Sequence, residues 1–311
     1  MKLIDDLSVF SAPSGSVVTS GTFDGVHVGH QKILKRVVTK ARSNEIQSVV
    51  LTFWPHPRFV LGKGKSDLKL LTTFEEKVEM LSESGIDYLV KIPFTKEFSE
   101  LSSQDFIQKI LIDGLNTKEL VIGYDHRFGK NREGGFDYLM KHSESYGFNI
   151  SEISRKDIED VAVSSTSIRN ALAEGVIDVA NEHLGRRYSL SGFVKDGDRI
   201  GRSIGFPTAN IEVPESYKLI PADGAYAVYV FHINNRYQGM LNIGQRPTVS
   251  GQERRIEVNI FNFDSDIYNQ RISIQFVKRL RGEQHFASIE ELKNHLSLDK
   301  QRATEILNQE S

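Results

Sequence analysis

The chain has 311 residues, with 39 Lys plus Arg against 41 Asp plus Glu, a net charge of −2 and no cysteine. At roughly 150 residues per domain, that length predicts two domains, each large enough to bury its own apolar core. An apolar fraction of 39% with 26% charged residues excludes a disordered or fibrous chain, and the near-neutral balance argues against a broad nucleic-acid or anionic-membrane surface. Without cysteine there is no disulfide, thiolate metal site or cysteine nucleophile. No run approaches the roughly 18 apolar residues of a membrane helix, and residues 1–6 lack the apolar core of a signal peptide, so the expected address is the cytoplasm.

Along the first half, β-like runs at 17–19, 48–53, 88–90 and 120–122 alternate with helix-periodic stretches such as 74–81 and 106–111. That alternation predicts a parallel α/β sheet, whose ligands sit beyond the carboxyl ends of the strands. Helical patterns at 168–172 and 176–184 then give way to glycine, proline and short strands at 225–230, 255–263 and 271–277. A domain boundary is expected at 183/184, with residues 1–183 forming an α/β unit and 184–311 an antiparallel β-barrel. Ile289, Leu292, Leu296, Ala303, Ile306 and Leu307 stand at helical spacing, which predicts a closing C-terminal helix. The second half carries 17 basic and 15 acidic residues, a net +2 that leaves −4 for the first. Neither half reads as a polyanion binder.

Directly after the first predicted strand of that series stands Gly21-Thr22-Phe23-Asp24-Gly25-Val26-His27-Val28-Gly29-His30, with a helix expected from Gln31. Glycines let backbone approach a nucleotide, a helix start offers unpaired N–H groups, and two imidazoles can donate to phosphate oxygens. This set suits attack by a bound phosphate on a nucleotide α-phosphorus, with catalysis by positioning and charge stabilisation. A bare His-x-x-His pair is more often an incidental turn, and a metal fits poorly because no third ligand is near in sequence. Gly64-Lys65-Ser66 imitates the end of a phosphate loop, but Phe59 occupies the position where that loop needs glycine.

The string resembles the His-x-Gly-His signature of the nucleotidylyltransferase superfamily, and its opening is similar to the prokaryotic FAD synthetase branch. Phe53-Trp54-Pro55-His56-Pro57, Leu71-Thr72-Thr73-Phe74-Glu75-Glu76-Lys77, Gly123-Tyr124-Asp125-His126-Arg127-Phe128-Gly129 and Ser164-Ser165-Thr166-Ser167-Ile168-Arg169 resemble further blocks of that family in order. The resemblance implies a Rossmann-like domain in which His27, His30 and Arg169 act on the nucleotide. It also implies ATP or phosphate contacts from Gly21, Phe23, Asp24, Gly29, Ser165 and Thr166, and flavin contacts from Asp125, Arg127 and Phe128. Arg169, one turn into its helix, has the reach for triphosphate oxygens. His126 departs from the pattern, since many relatives carry an aromatic residue there. No Lys-Met-Ser-Lys-Ser motif accompanies the histidines, which weighs against an aminoacyl-tRNA synthetase.

In the second half, a glycine-rich stretch from Gly192 leads through Gly201 and Gly205 to Pro207-Thr208-Ala209-Asn210. The Thr208 hydroxyl and Asn210 amide oxygen are hard ligands suited to Mg²⁺ already held by phosphates, and glycine N–H groups can cradle those phosphates. Read alone, the segment divides evenly between such a site and an ordinary turn with an edge strand. It resembles the flavokinase domain, as do Gly224-Ala225-Tyr226-Ala227, Asn242-Ile243-Gly244, Glu257-Val258-Asn259 and the block from Phe276 to Phe286. The resemblance implies ATP contacts at Gly201 and Gly205, a flavin contact at Arg281, and Glu257 as the base that accepts a proton from the attacking alcohol. Many relatives have histidine where Asn259 stands.

Together the two resemblances imply riboflavin kinase and FMN adenylyltransferase activities, with ATP, riboflavin and FMN as substrates, Mg²⁺ as cofactor, and flavoproteins as downstream recipients. Two alternatives stand beside this reading: a flavin-binding storage or regulatory protein with decayed catalysis, and a nucleotidylyltransferase with another phosphorylated acceptor.

Overall fold

The computed structural model describes residues 1–62, 68–123, 126–153, 163–197, 200–248 and 251–310. Gly64-Lys65-Ser66 and Asp125 lie outside them. The chain divides into two compact units, Met1–Ser165 and Thr166–Ser311. Among the described residues no helix is long and apolar enough to cross a membrane.

The first unit is the expected parallel sheet. Six strands, β1 (Lys2–Ile4), β2 (Ser16–Ser20), β3 (Gln47–Trp54), β4 (Tyr88–Pro93), β5 (Thr117–Gly123) and β6 (Asn149–Ile153), are ordered β1-β4-β3-β2-β5-β6, and every pairing is parallel. The chain steps outward from β2 through β3 to β4, then returns to lay β5 and β6 on the other side. The topological switch point therefore falls between β2 and β5, where open sheets of this kind hold their ligands. All five residues of β2 are buried, because the sheet is covered on both faces. On one face α1 (Val28–Ser43) turns Leu34, Val37 and Ala41, spaced for one helical stripe, against Val17, Val50, Leu89 and Val121. α2 (Phe74–Ser82) begins with a reciprocal capping box, in which Glu76 N–H donates to Thr73 Oγ1 and Thr73 N–H to Glu76. The other face packs on Phe106, Ile107, Leu111 and Leu139, the last from α3 (Phe136–Tyr146). Phe106–Ile112 winds as a π-helix, with Asp113 N–H bonded to Gln108 O.

The second unit opens with two helices, α4 (Ser165–Glu174, whose first residue still belongs to the first unit) and α5 (Ile177–Leu184). Six strands then close an antiparallel barrel: β7 (Ser189–Lys195), β8 (Ala209–Glu212), β9 (Gly224–His232), β10 (Asn235–Thr248), β11 (Gly251–Ile260) and β12 (Arg271–Arg281), in the order β10-β11-β8-β7-β12-β9. The final helix, α6 (Ile289–Gln309), is capped by Ser288, whose hydroxyl accepts from Glu291 N–H. Ala303 and Leu307 of α6 pack on Ala227, Tyr229, Met240 and Val277.

Where the sequence reading places the domain boundary at 183/184, the compact units divide at 165/166. The reason is local: Ala222 N–H donates to Leu172 O, and Asn181 bonds both Phe276 O and Tyr188 N–H. Helices α4 and α5 thus pack with the barrel.

Candidate active sites

At the switch point β2 ends in Ser20, and the chain turns through Gly21–Val26 into α1. His27 is the N-cap of α1: its Nδ1 accepts from His30 N–H at 3.3 Å. A neutral imidazole that accepts at Nδ1 carries its proton on Nε2, so that edge of His27 is a donor. The His27 and His30 rings stack, with centroids 3.6 Å apart and planes 19° apart. The two expected imidazoles therefore stand together at the positive end of a sixteen-residue helix. Gly29 is buried in the first turn of α1.

The preceding loop is strained and braced. Phe23 and Val26, neither of them glycine, have φ of +47° and +37°, and each such residue costs about 1–3 kcal/mol. Both are buried in the apolar core. Four contacts hold the loop in this path: Lys77 Nζ donates to Thr22 O at 3.0 Å, Thr72 Oγ1 accepts from Gly25 N–H, Ser165 Oγ donates to Asp24 O, and Gln31 Nε2 donates to Val26 O. Asp24 is itself buried, with its carboxylate accepting from the Leu71 and Thr72 amides. Phe23 and Asp24 therefore brace the loop from within rather than facing the crevice. The Cβ of any larger residue at Gly21 would stand 3.2 Å from the Phe23 ring.

Lys77 has no site role in the sequence reading. It is 4% exposed, its Nζ lies 5.5 and 5.3 Å from the Trp54 and Phe74 rings, and it is pushed by burial down to about 8, with the Asp24 charge opposing. Its signal in the sequence was a lysine one position after a capping box, on the side of α2 that faces the sheet.

On the far side of the switch point, the residues after β5 divide. His126 reaches Ser20, with Nε2 2.8 Å from Oγ. Arg127 is exposed and turns its guanidinium back to His126 O, while Phe128 is buried against Phe106 with ring centroids 5.2 Å apart. Phe128 thus belongs to the core of this wall. In α4, Thr166 is exposed and Arg169 half-buried, four residues on from Ser165.

In the barrel, Glu257 of β11 stands directly opposite Asn210 of β8, and Val258 opposite Ala209. Paired residues share a face of an antiparallel ladder, so carboxylate and amide project to the same side. The glycine stretch passes close by: a Cβ on Gly197 would collide with Asn210 Nδ2, and one on Gly201 with Phe206 O, with Thr208 Oγ1 3.3 Å away. That contact accounts for the glycines, which let the backbone lie on the Thr208 and Asn210 side chains. Gly205 adopts φ +86° with open space around it. Asn259, one ladder position of the same parity beyond Glu257, is buried and donates from Nδ2 to Pro207 O at 2.6 Å.

A cavity of about 690 Å³ opens beside this strand, lined among others by Val194, Arg202, Thr208, Val258, Ile260 and Tyr268. Thr208 borders it, and Asn210 and Glu257 adjoin the lining residues Ala209 and Val258. Arg281 is engaged: its Nε and Nη2 hold Asp299 of α6 at 2.9 and 2.8 Å, and its guanidinium lies 5.5 Å from the Phe286 ring. Among the described residues no group of three His, Asp or Glu side chains is placed to hold a metal. The hydroxyl of Thr208, the amide of Asn210 and the carboxylate of Glu257, beside glycine backbone that comes within reach, do fit a hard cation brought in with phosphates.

A parallel sheet with a histidine-capped helix at its switch point, followed by a closed barrel with a glycine loop over Thr208 and Asn210, defines a nucleotidylyltransferase joined to a flavokinase. Residues 9–167 match the FAD synthetase family and residues 184–307 the riboflavin kinase family. The chain is 39% identical over 308 residues to the bifunctional riboflavin kinase/FMN adenylyltransferase of Escherichia coli strain K12, covering 98% of this chain and 97% of the relative. It is 36% identical to the protein of the same description from Bacillus subtilis strain 168, covering 93% of this chain and 91% of that one. A crystal structure described as a macrolide-efflux protein from Streptococcus pneumoniae superposes with a TM-score of 0.89 at 31% identity, over 97% of this chain and 98% of that one. The chain belongs to the bifunctional riboflavin kinase/FMN adenylyltransferase family.

Proposed function

We propose that this chain phosphorylates riboflavin to FMN in its barrel and adenylylates FMN to FAD in its α/β unit, each step consuming one ATP. Family membership over nearly the whole length supports both activities. The observation that carries the reading is the presence, on one chain, of two phosphate-handling arrangements: the His27–His30 helix start at a switch point, and the Glu257–Asn210 pair beside a glycine loop.

In the barrel, the primary hydroxyl of the ribityl chain attacks the γ-phosphorus of ATP. The new O–P bond forms as the bridging bond to the β-phosphate breaks, and ADP leaves. Glu257 accepts the hydroxyl proton. Thr208 and Asn210 would hold the metal–phosphate group, with Gly201 offering a backbone N–H; Gly205 N–H is bonded to Arg202 O and shapes that loop, and Arg281, held by Asp299, is assigned to the flavin. A magnesium ion, when bound by these residues, would neutralise phosphate charge.

In the α/β unit, a phosphate oxygen of FMN attacks the α-phosphorus of the second ATP, and pyrophosphate leaves. His27 donates from Nε2, and His30, Arg169 and the first amides of α1 and α4 add to the stabilisation of developing charge. Gly21, Gly29, Ser165 and Thr166 contribute close backbone or hydroxyl contacts, while Phe23 and Asp24 maintain the loop. Arg127, with Asp125, is assigned to the flavin, and Phe128 supports that wall from the core. Residues 1–183 carry the adenylyl transfer and 184–311 the kinase, in the cytoplasm, with flavoproteins receiving the products.

The test is a chromatographic time course with riboflavin, ATP and Mg²⁺ that resolves riboflavin, FMN and FAD. FMN followed by FAD is the expected result. FMN alone removes the adenylyl assignment, and flavin binding without any product turns the reading to a storage protein.

A further inference from the structure

We propose that Lys77 is a positioning residue of the adenylyl-transfer site, one that orients the Thr22–Phe23 peptide so that its N–H is available to a phosphate of the nucleotide. The proposal rests on the adenylyl-transfer reading above and deepens it. Residues 71–77 clasp the strained loop at Thr22, Asp24 and Gly25: the Leu71 and Thr72 amides donate to the Asp24 carboxylate, Thr72 Oγ1 accepts from Gly25 N–H, and Lys77 Nζ donates to Thr22 O at 3.0 Å. The capping box of Thr73 and Glu76 fixes where α2 starts, and so where Lys77 leaves the helix. Its amine is then confined beside the Trp54 and Phe74 rings, within reach of the loop carbonyl.

The consequence lies on the other side of that peptide. The Thr22–Phe23 bond is trans, so its N–H points opposite to its C=O, and a carbonyl drawn to Lys77 turns the Phe23 N–H away from Lys77. Neighbouring amides of the turn are engaged: Gly21 N–H donates to Leu51 O, Gly25 N–H to Thr72 and Val26 N–H to Phe23 O. Among the described residues the Phe23 N–H has no acceptor within the chain. A backbone donor held without an internal acceptor, in a turn where Phe23 and Val26 adopt positive φ, is how loops bind anions, and the His27 cap of α1 follows four residues on. Packing alone does not call for an amine here. A methionine would fill the space beside the two rings, whereas burial disfavours the lysine's charge. The tie itself does not depend on that charge, because protonated and neutral amines both carry N–H donors.

The experiment follows FAD formation and its reversal from FAD and pyrophosphate, with KM for ATP, FMN and pyrophosphate, in the full-length wild type, Lys77→Met and Lys77→Gln. A thermal melt of each protein at pH 7 accompanies the kinetics. Pyrophosphate reads the phosphate side of this site alone, since the kinase step neither consumes nor forms it. Met fills the space and lacks the donor, and Gln carries an amide donor on a shorter stem. The expected result for Lys77→Met is a KM for ATP and for pyrophosphate raised about tenfold, as for the loss of one hydrogen bond to a charged group. KM for FMN changes by less than about threefold, and the melting temperature is at least that of the wild type because a buried charge has gone. Lys77→Gln recovers part of the loss. Unchanged KM values in Lys77→Met overturn the proposal. So does a lowered melting temperature with all three KM values raised alike, which makes Lys77 a support of the fold only. Absence of FAD formation by the wild type would instead remove the adenylyl-transfer reading itself.

Discussion

Asn259 donates from Nδ2 to the carbonyl oxygen of Pro207 at 2.6 Å, tying β11 to the residue that introduces Thr208 and Asn210. Asn259 is buried while Pro207 is exposed, so removing the amide costs the tether and releases the segment that carries two of the proposed ligands. Asn259→Ala is expected to lower FMN formation about tenfold or more, mainly through KM for ATP at limiting Mg²⁺. FAD formation from supplied FMN is expected to change less than twofold. Asn259→His, which restores a ring donor at the same position, is expected to retain most of the activity. Loss of both activities together would show that Asn259 acts on overall stability instead.

The two sites predict opposite single-site phenotypes. Removing one donor from a preorganised charge-stabilising site typically costs 10²–10³ in rate, about 2.7–4 kcal/mol. His30→Ala is therefore expected to depress FAD formation by about that factor with FMN formation intact. Asn210→Ala is expected to do the reverse when FMN is supplied. Separate assays of the two steps on each purified variant decide this, and an equal loss of both steps in a folded variant would overturn the assignment.

Glu257→Gln retains size and hydrogen bonding at the position opposite Asn210 and removes the proton acceptor. The expected outcome is a fall in kcat for FMN formation of about 10²–10⁴ with KM for riboflavin nearly unchanged. A variant with a raised KM and normal kcat would make Glu257 a binding group.

How much of this was legible in the sequence follows from which side of each motif the physics lies on. The β–α alternation was readable because it rests on local spacing, whereas the histidines and the Thr208–Asn210 pair stood out only through the family resemblance. β10 was missed because Gly239, Gly244 and Pro247 interrupt its pattern. A Cβ at Gly239 would meet Asn259 O at 2.8 Å, and one at Gly244 would meet the Glu283 carboxylate at 2.6 Å, so both glycines answer to neighbours far away in sequence. Asp24 and Phe23 stand in the phosphate-site string yet turn inward, because alternation within a strained loop has no fixed period. The Ser20–His126 and Arg281–Asp299 contacts join residues 106 and 18 positions apart, and no local pattern reports a contact made through tertiary structure.

Lys77 gives a pH signature with a definite sign. Its ammonium titrates near 8 in the folded chain against 10.5 for the free group, because burial disfavours the charge. Between those values the unfolded chain binds more protons, so stability rises with pH across the window from 8 to 10.5 and is lowest below it. The full effect is on the order of 3 kcal/mol. Lys77→Met removes the titration while retaining most of the volume. The expected measurement is an unfolding free energy for the wild type that gains on that of the variant by that amount between pH 7 and pH 10. Parallel curves would show that the ammonium is solvated.

The division of the chain predicts which fragments stand alone. A barrel fragment that begins at Leu184 loses the Ala222–Leu172 hydrogen bond and both bonds of Asn181, one to Phe276 O and one to Tyr188 N–H. At about 1 kcal/mol each these amount to about 3 kcal/mol, before the apolar faces of α4 and α5 are counted. A fragment beginning at Thr166 retains all three. For a unit of this size the difference corresponds to a melting temperature lower by about 10 °C in the shorter fragment. In the complementary fragment 1–183, α4 and α5 are left without the barrel partners that bury Leu172 and Ala180. It is expected to form FAD from FMN, because it retains Arg169, and to be more prone to aggregation than the full chain. Thermal melts of 166–311 and 184–311, with an FAD assay on 1–183, test this: equal melting temperatures would show that α4 and α5 do not stabilise the barrel.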